Sequence, residues 1–224
     1  MNLDPLTREF DEAFAAGDAG AVRRLIEIHG KDVRLFHNTA PFHLAALHCK
    51  NTEILDYLRS LGADLYAMDK YGSTTLHFAV MGDNFIALHW LLDNGFDPNM
   101  VPDDNYTALH EAAMAADGEA AALLLSCGAL VDGVSIHCEC APLHEAARMS
   151  VACIHLLIRH GADINRQDRF GYPPIAHALG WSLMCDPTPR VEEAKALLQY
   201  EEAMVIDDVS LLDAIAKFKL RHGI

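Results

Sequence analysis

Four histidines recur at nearly constant spacing: His43, His77, His110 and His144, separated by 34, 33 and 34 residues. Imidazole can serve as a general base or a metal ligand. The spacing argues against both. Catalytic sets bring different residue types to one point, whereas one residue returning at a fixed interval belongs to a repeated unit. Two of the four open a near match to the zinc-protease helix H-E-x-x-H: His110-Glu111-Ala112-Ala113-Met114 and His144-Glu145-Ala146-Ala147-Arg148. The second imidazole, needed one turn later on the same face, is replaced by Met114 or Arg148.

The most irregular chemistry-bearing stretch is His137-Cys138-Glu139-Cys140, with Cys127 upstream. Thiolates and imidazole are zinc ligands, but C-x-C is not the C-x-x-C knuckle. The spacing reads as reduced thiols at a solvent edge, with no metal bound by this stretch. Glu139 stands where glycine occurs in the equivalent loops, at Gly72 and Gly171, so a locally different loop is expected. The chain has no phosphate-binding glycine loop, no G-x-S-x-G elbow and no Cys/His pair at catalytic spacing. No catalytic residue, cofactor or metal is expected.

The elements that hold the histidines are legible around them. Each histidine closes a signature: Ala40-Pro41-Phe42-His43, Thr74-Thr75-Leu76-His77, Thr107-Ala108-Leu109-His110 and Ala141-Pro142-Leu143-His144. Threonine caps a helix and proline suits its first turn. After His77 come Phe78-Ala79-Val80, a break at Gly82-Asp83, an apolar helix from about Phe85 to Leu92, and the ending Asn94-Gly95-Phe96-Asp97-Pro98-Asn99. Gly30, Gly62, Gly95, Gly128 and Gly161 each follow such a second helix, where a left-handed turn favours a residue without Cβ. Leu76 and Leu109 are predicted to lie between helix layers.

On these signatures, glycine stops and endings such as Gly161-Ala162-Asp163-Ile164-Asn165, nearly the whole chain resembles the ankyrin repeat family. The resemblance implies an all-α solenoid of stacked helix pairs with β-hairpin-like fingers and a concave binding face. Its divergent capping units lie at both ends. It divides the chain into an N-terminal cap at about 5–36, internal repeats at 37–69, 70–102, 103–136 and 137–168, and a C-terminal repeat at 169–224 with a long loop and a capping helix. That helix is expected at about Val209 to Leu220, with Val209, Leu211, Leu212, Ile215 and Phe218 as its apolar stripe. The resemblance also implies that the signature histidines hydrogen-bond between units. Family contacts come from finger tips and inner helix ends. Here these are Phe36, His37, Lys70, Tyr71, Asp103, Asp104, His137, Cys138, Arg169 and Phe170 on fingers, with Leu47, His48, Met81, Met114 and Arg148 on helix ends.

Composition sets the remaining bounds. The 224 residues are 51% hydrophobic, and no run of 18 apolar residues occurs, so no transmembrane helix is expected. Met1-Asn2-Leu3-Asp4-Pro5 is not a signal peptide, and the acceptor Asn105-Tyr106-Thr107 is a chance match without secretion. Six scattered cysteines fit a reducing compartment, read as cytoplasmic. The formal charge is −15, and no Lys or Arg occurs between Tyr71 and Ala147, a stretch carrying 11 acidic residues. Nucleic acid is disfavoured as a partner, because phosphate contacts need cations. The expected function is non-catalytic: an adaptor, inhibitor or sequestering protein, an immunity protein being one form, that binds a protein with a basic surface. The alternatives are a client-recruiting subunit docking through 181–224, and a metal-dependent protein using the His137–Cys140 finger.

Overall fold

Asp4 starts the first helix. Its carboxylate accepts the Thr7 N–H at 3.0 Å, and Pro5 fills the first turn. The computed structural model describes residues 4–101, 106–180 and 190–224. Helices α1 (Pro5–Ala16) and α2 (Ala19–His29) form an antiparallel pair. The pairs α3 (Pro41–His48) with α4 (Glu53–Ser60), α5 (Thr75–Met81) with α6 (Phe85–Asp93), and α7 (Ala108–Met114) with α8 (Gly118–Ser126) follow. Then come α9 (Pro142–Met149) with α10 (Val151–Arg159), α11 (Pro174–Ala178) with α12 (Val191–Leu198), and a terminal α13 (Val209–His222). Among the described residues no strand forms, and no helix is long and apolar enough to cross a membrane.

Alanine decides how the pairs stack. Ala45, Ala46, Ala79, Ala112, Ala113, Ala146, Ala147, Ala176 and Ala178 on the first helices are fully buried, and these helices pack closely along one row. Successive second helices touch less. Tighter packing on one row bends the stack toward it, which makes the first-helix row the inner side. Gly82 shows how close the approach is: a Cβ there would lie 2.3 Å from the Leu47 carbonyl oxygen. Leu76, Leu109 and Leu143 lie between the layers, at most 1% exposed.

Repeats are also joined by side-chain acceptors at their endings. Asp32 accepts from Asp64 N–H, Asn99 from Leu130, Asp132 from Asp163 and Asn165 from Val205. The glycine stops behave as expected, with φ between 70° and 91° at Gly30, Gly62, Gly95, Gly128 and Gly161. The cap helix departs from expectation on two residues. Leu211, Ile215 and Phe218 are buried, but Val209 is 77% and Leu212 47% exposed. Val209 lies opposite the buried stripe, whereas Leu212 sits at its edge and lines a groove with Leu198, Met204 and Ile206.

Candidate protein-binding surface

The signature histidines are structural, and their bonds show why. Nδ1 of His43, His77, His110 and His144 accepts the N–H of the helix-starting residue three positions earlier, at 3.0, 3.3, 3.1 and 3.0 Å. Thr74 and Thr107 add a hydroxyl donor to the same nitrogen at 2.8 Å. The proton therefore sits on Nε2, which donates to the ending of its own repeat at His43 and into the next repeat at His77, His110 and His144. Its acceptors are the carbonyls of Ala67, Tyr106, Cys140 and Tyr172, at 2.8, 2.6, 2.9 and 3.2 Å. Burial pushes all four imidazoles below their ordinary pKa, His110 to about 4. A neutral imidazole with both nitrogens engaged has no lone pair or proton left for catalysis.

The finger before α9 is built differently. The other described fingers close with one backbone bond across four positions: Leu35 N–H to Thr39, Asp69 to Ser73 and Asp168 to Tyr172, at 2.8–3.1 Å. Here the bond runs from Ser135 to Cys140 at 3.0 Å, so the turn holds one more residue. Asp69 and Asp168 brace their turns through Oδ1, which accepts two backbone N–H groups. Ser135 has no carboxylate, and its hydroxyl instead meets Cys138 Sγ at 2.8 Å. Glu139 takes the left-handed place of the usual glycine at φ 54°, as the sequence suggested. The expectation of solvent-edge thiols is corrected: Cys138 and Cys140 are each 1% exposed, because the wider turn folds both sulfurs inward. Hydrogen bonding from Cys140 holds the Cys138 thiol down to about 5, and the same contact with burial pushes Cys140 upward.

The described finger residues expected to meet a partner are linked in two groups, one at each side of the finger that holds 102–105. Lys70 N–H donates to the His37 carbonyl at 2.7 Å, and Arg169 N–H to the Cys138 carbonyl at 2.8 Å. Phe36 stacks on His37 with centroids 3.8 Å apart, and Tyr71 meets His37 edge-on at 5.2 Å. The Lys70 ammonium lies 4.6 Å above the Tyr71 ring. Tyr71 and Phe170 are still half exposed, and Arg169 and His137 are exposed. Asp103 and Asp104 lie outside the described residues, as does the 181–189 connection.

On the helix ends, Met81 is 56% and Met114 38% exposed, large apolar side chains open to solvent at equivalent places in α5 and α7. Leu47 and His48 are partly covered, and His48 Nε2 meets Asp11 at 2.8 Å. Arg148 is partly exposed and already ion-paired. Its Nη1 lies 3.1 Å from Oε2 of Glu145, a carboxylate that is almost wholly buried. Removing that guanidinium would leave a buried charge uncompensated.

Sequence reading missed Glu111, one turn before Met114 on the inner row. It is half-buried, burial raises its carboxyl pKa, and among the described residues no cation pairs with it. The signal was available: Glu111 and Glu145 occupy equivalent places, and only Glu145 is followed three residues on by arginine. Nearby acidic side chains divide by role. Asp117 caps α8 and Asp132 joins two repeats, whereas Asp83, Asp93, Asp97 and Glu119 are exposed.

The architecture has counterparts among known proteins. A family model described as ankyrin repeats in three copies matches residues 12–101, 42–135 and 76–168. The mouse B-cell lymphoma 3 protein homolog is 32% identical over 170 residues, which are 71% of this chain and 37% of that protein. The chain thus spans little more than a third of this relative. The solved ankyrin repeat domain of Bcl-3, a member of the IkappaB family, superposes with TM-score 0.65 at 28% identity, covering 85% of each chain. A chain of the complex between the Bd0816 predatory endopeptidase of Bdellovibrio bacteriovorus and immunity protein Bd3460 shares the fold, with TM-score 0.67 and 24% identity over 86% of this chain and 97% of that one. With stacked helix pairs, signature histidines of which His77, His110 and His144 bond into the next repeat, and a family match from residue 12 to 168, this chain belongs to the ankyrin repeat family.

Proposed function

We propose that the protein is a non-catalytic sequestering or adaptor protein that grips a partner's basic surface with its inner helix ends and finger tips. Ankyrin repeats mediate protein–protein interaction, and the finer assignment rests on one observation. Glu111 is a half-buried carboxylate with no cation paired to it among the described residues, beside exposed Met114, in a stretch from Tyr71 to Ala147 that contains no Lys or Arg. A partly desolvated carboxylate gains most from an incoming Lys or Arg, and a flanking methionine supplies adaptable apolar contact. Met81, Tyr71 and Phe170 extend that surface, and Asp103 and Asp104, which lie outside the described residues, belong to the same stretch without Lys or Arg.

The named relatives are compatible with this reading: one solved complex contains an immunity protein, and Bcl-3 belongs to the IkappaB family. A reducing, cytoplasmic setting is supported by the free thiols of Cys49, Cys127, Cys138, Cys140 and Cys153. The test is kinetic, on the partner recovered by affinity capture and mass spectrometry. Asp103→Lys/Asp104→Lys should slow association while leaving helicity intact, and association should slow as salt rises. An association rate indifferent to both would remove the electrostatic part of the reading.

A second reading has its own observation. Val209, Leu212 and Leu220 on α13 are exposed apolar side chains, which suits a client-recruiting subunit that docks through its C-terminal end. Capture that depends on residues 205–224 and not on Glu111 and Met114 would favour it.

A further inference from the structure

We propose that Cys140, Asp168 and His177 form a binding site for one divalent transition cation of the zinc class, set between the last two fingers. All three side chains are buried, and each offers one ligand atom, the three atoms lying within 4.8 Å of one another. Sulfur, imidazole nitrogen and carboxylate oxygen are a zinc-type donor set, and three protein ligands leave one coordination place for a further ligand.

The donors come from separate stretches. Cys140 ends one finger, Asp168 opens the next, and His177 lies in α11. Two of the three depart from the repeat. Where Cys140 stands, the other repeats have Thr39, Ser73, Tyr106 and Tyr172. Where His177 stands, they have Leu44, Phe78, Glu111 and Glu145, and the signature histidine place beside it holds Ala176. His177 is therefore not a member of the inter-repeat histidine series. The carboxylate is already oriented. Oδ1 of Asp168 accepts the N–H of Phe170 and Tyr172 at 2.8 and 2.9 Å, which turns Oδ2 toward His177 Nε2 at 3.1 Å. Backbone bonds that hold a ligating carboxylate in this way are a regular part of metal sites. The site differs from the finger motif weighed from sequence. His137 is exposed and Cys138 Sγ is engaged by Ser135, so neither belongs to it.

A bound cation would clip the last finger and α11 to the preceding finger. Binding to the folded state alone stabilises that state. The test is cobalt titration of the full-length, reduced, chelator-stripped protein. An equimolar amount of Co²⁺ should produce a thiolate-to-cobalt charge-transfer band with tetrahedral d–d absorption, and zinc should displace it and raise the unfolding midpoint. Cys140→Ser and His177→Gln should each abolish the band, while Cys127→Ser, at an exposed thiol, should keep it. If Cys140→Ser fails to fold, His177→Gln still decides, because Gln can donate to Asp168 without replacing the imidazole ligand. No thiolate band in the wild-type protein, or one that survives His177→Gln or is lost in Cys127→Ser, would overturn the proposal and leave a hydrogen-bonded structural cluster.

Discussion

His77 donates through Nε2 to the carbonyl of Tyr106 at 2.6 Å, tying the start of one repeat to the end of the next finger. The same ring accepts Thr74 N–H through Nδ1 at 3.3 Å, so a single side chain caps its own helix and braces its neighbour. Each such bond contributes about 1 kcal/mol net, and leaving its buried partners unmet costs about 1–3 kcal/mol.

This relationship makes stability pH-dependent. Burial lowers the His77 pKa below its ordinary value of 6.5, and His43 shifts the same way. The unfolded chain then takes up protons before the folded one. Stability from these groups is complete above pH 6.5 and declines as pH falls from there through the folded-state values. Urea midpoints measured from neutral pH downward should fall, and His77→Gln should lower the neutral-pH midpoint while flattening the slope. A wild-type slope unchanged in His77→Gln would contradict the buried neutral imidazole.

Leu76 is 1% exposed between helix layers, and truncation there opens a cavity that rigid helices fill only in part. Leu76→Ala should cost about 2–5 kcal/mol. An unchanged midpoint would show that the repeat register is misplaced.

Glu139 carries a left-handed backbone, φ 54°, without glycine's freedom. Glu139→Gly should relieve the Cβ strain, against a larger entropy loss on folding. Strain at such a position is about 1–2 kcal/mol, so a net gain of about 0.5–1 kcal/mol is expected. Thermal unfolding at matched pH measures it, and a lower midpoint would mean that the Glu139 side chain contributes contacts of its own.

Deleting residues 205–224 removes Leu211, Ile215 and Phe218 from the last helix pair and uncovers the end of the stack. Light scattering and thermal unfolding should show aggregation or a lower midpoint. A truncated protein as stable and monomeric as the full chain would release α13 from a capping role.

Much of the fold was legible because its signals are local. Cap residues, alanine runs and glycine stops act within a turn or two, and they recur in register. What was not legible depends on neighbours. The thiols of Cys138 and Cys140 turn inward because the finger gained a residue, and a spacing motif does not report which way a turn folds. An apolar stripe on α13 could be counted, but only packing decides that Leu211 is covered and Leu212 is not. Arg148 reads as a helix-end contact residue, and only the stack shows Glu145 buried beside it. Glu111 becomes informative only when the stack half-covers it with no cation paired to it among the described residues. Cys140, Asp168 and His177 meet only because successive repeats stack.

The central claim is that the inner surface around Glu111 and Met114 grips a basic partner. Quantitative affinity capture from one lysate tests it directly, comparing the wild-type protein with Met81→Ser/Glu111→Gln/Met114→Ser, matched by circular dichroism and unfolding midpoint. Losing hot-spot contacts worth about 2 kcal/mol or more should reduce recovery of the true partner more than about tenfold. That partner should present Lys and Arg at the contact. Equal recovery of the same proteins by both forms would contradict the account.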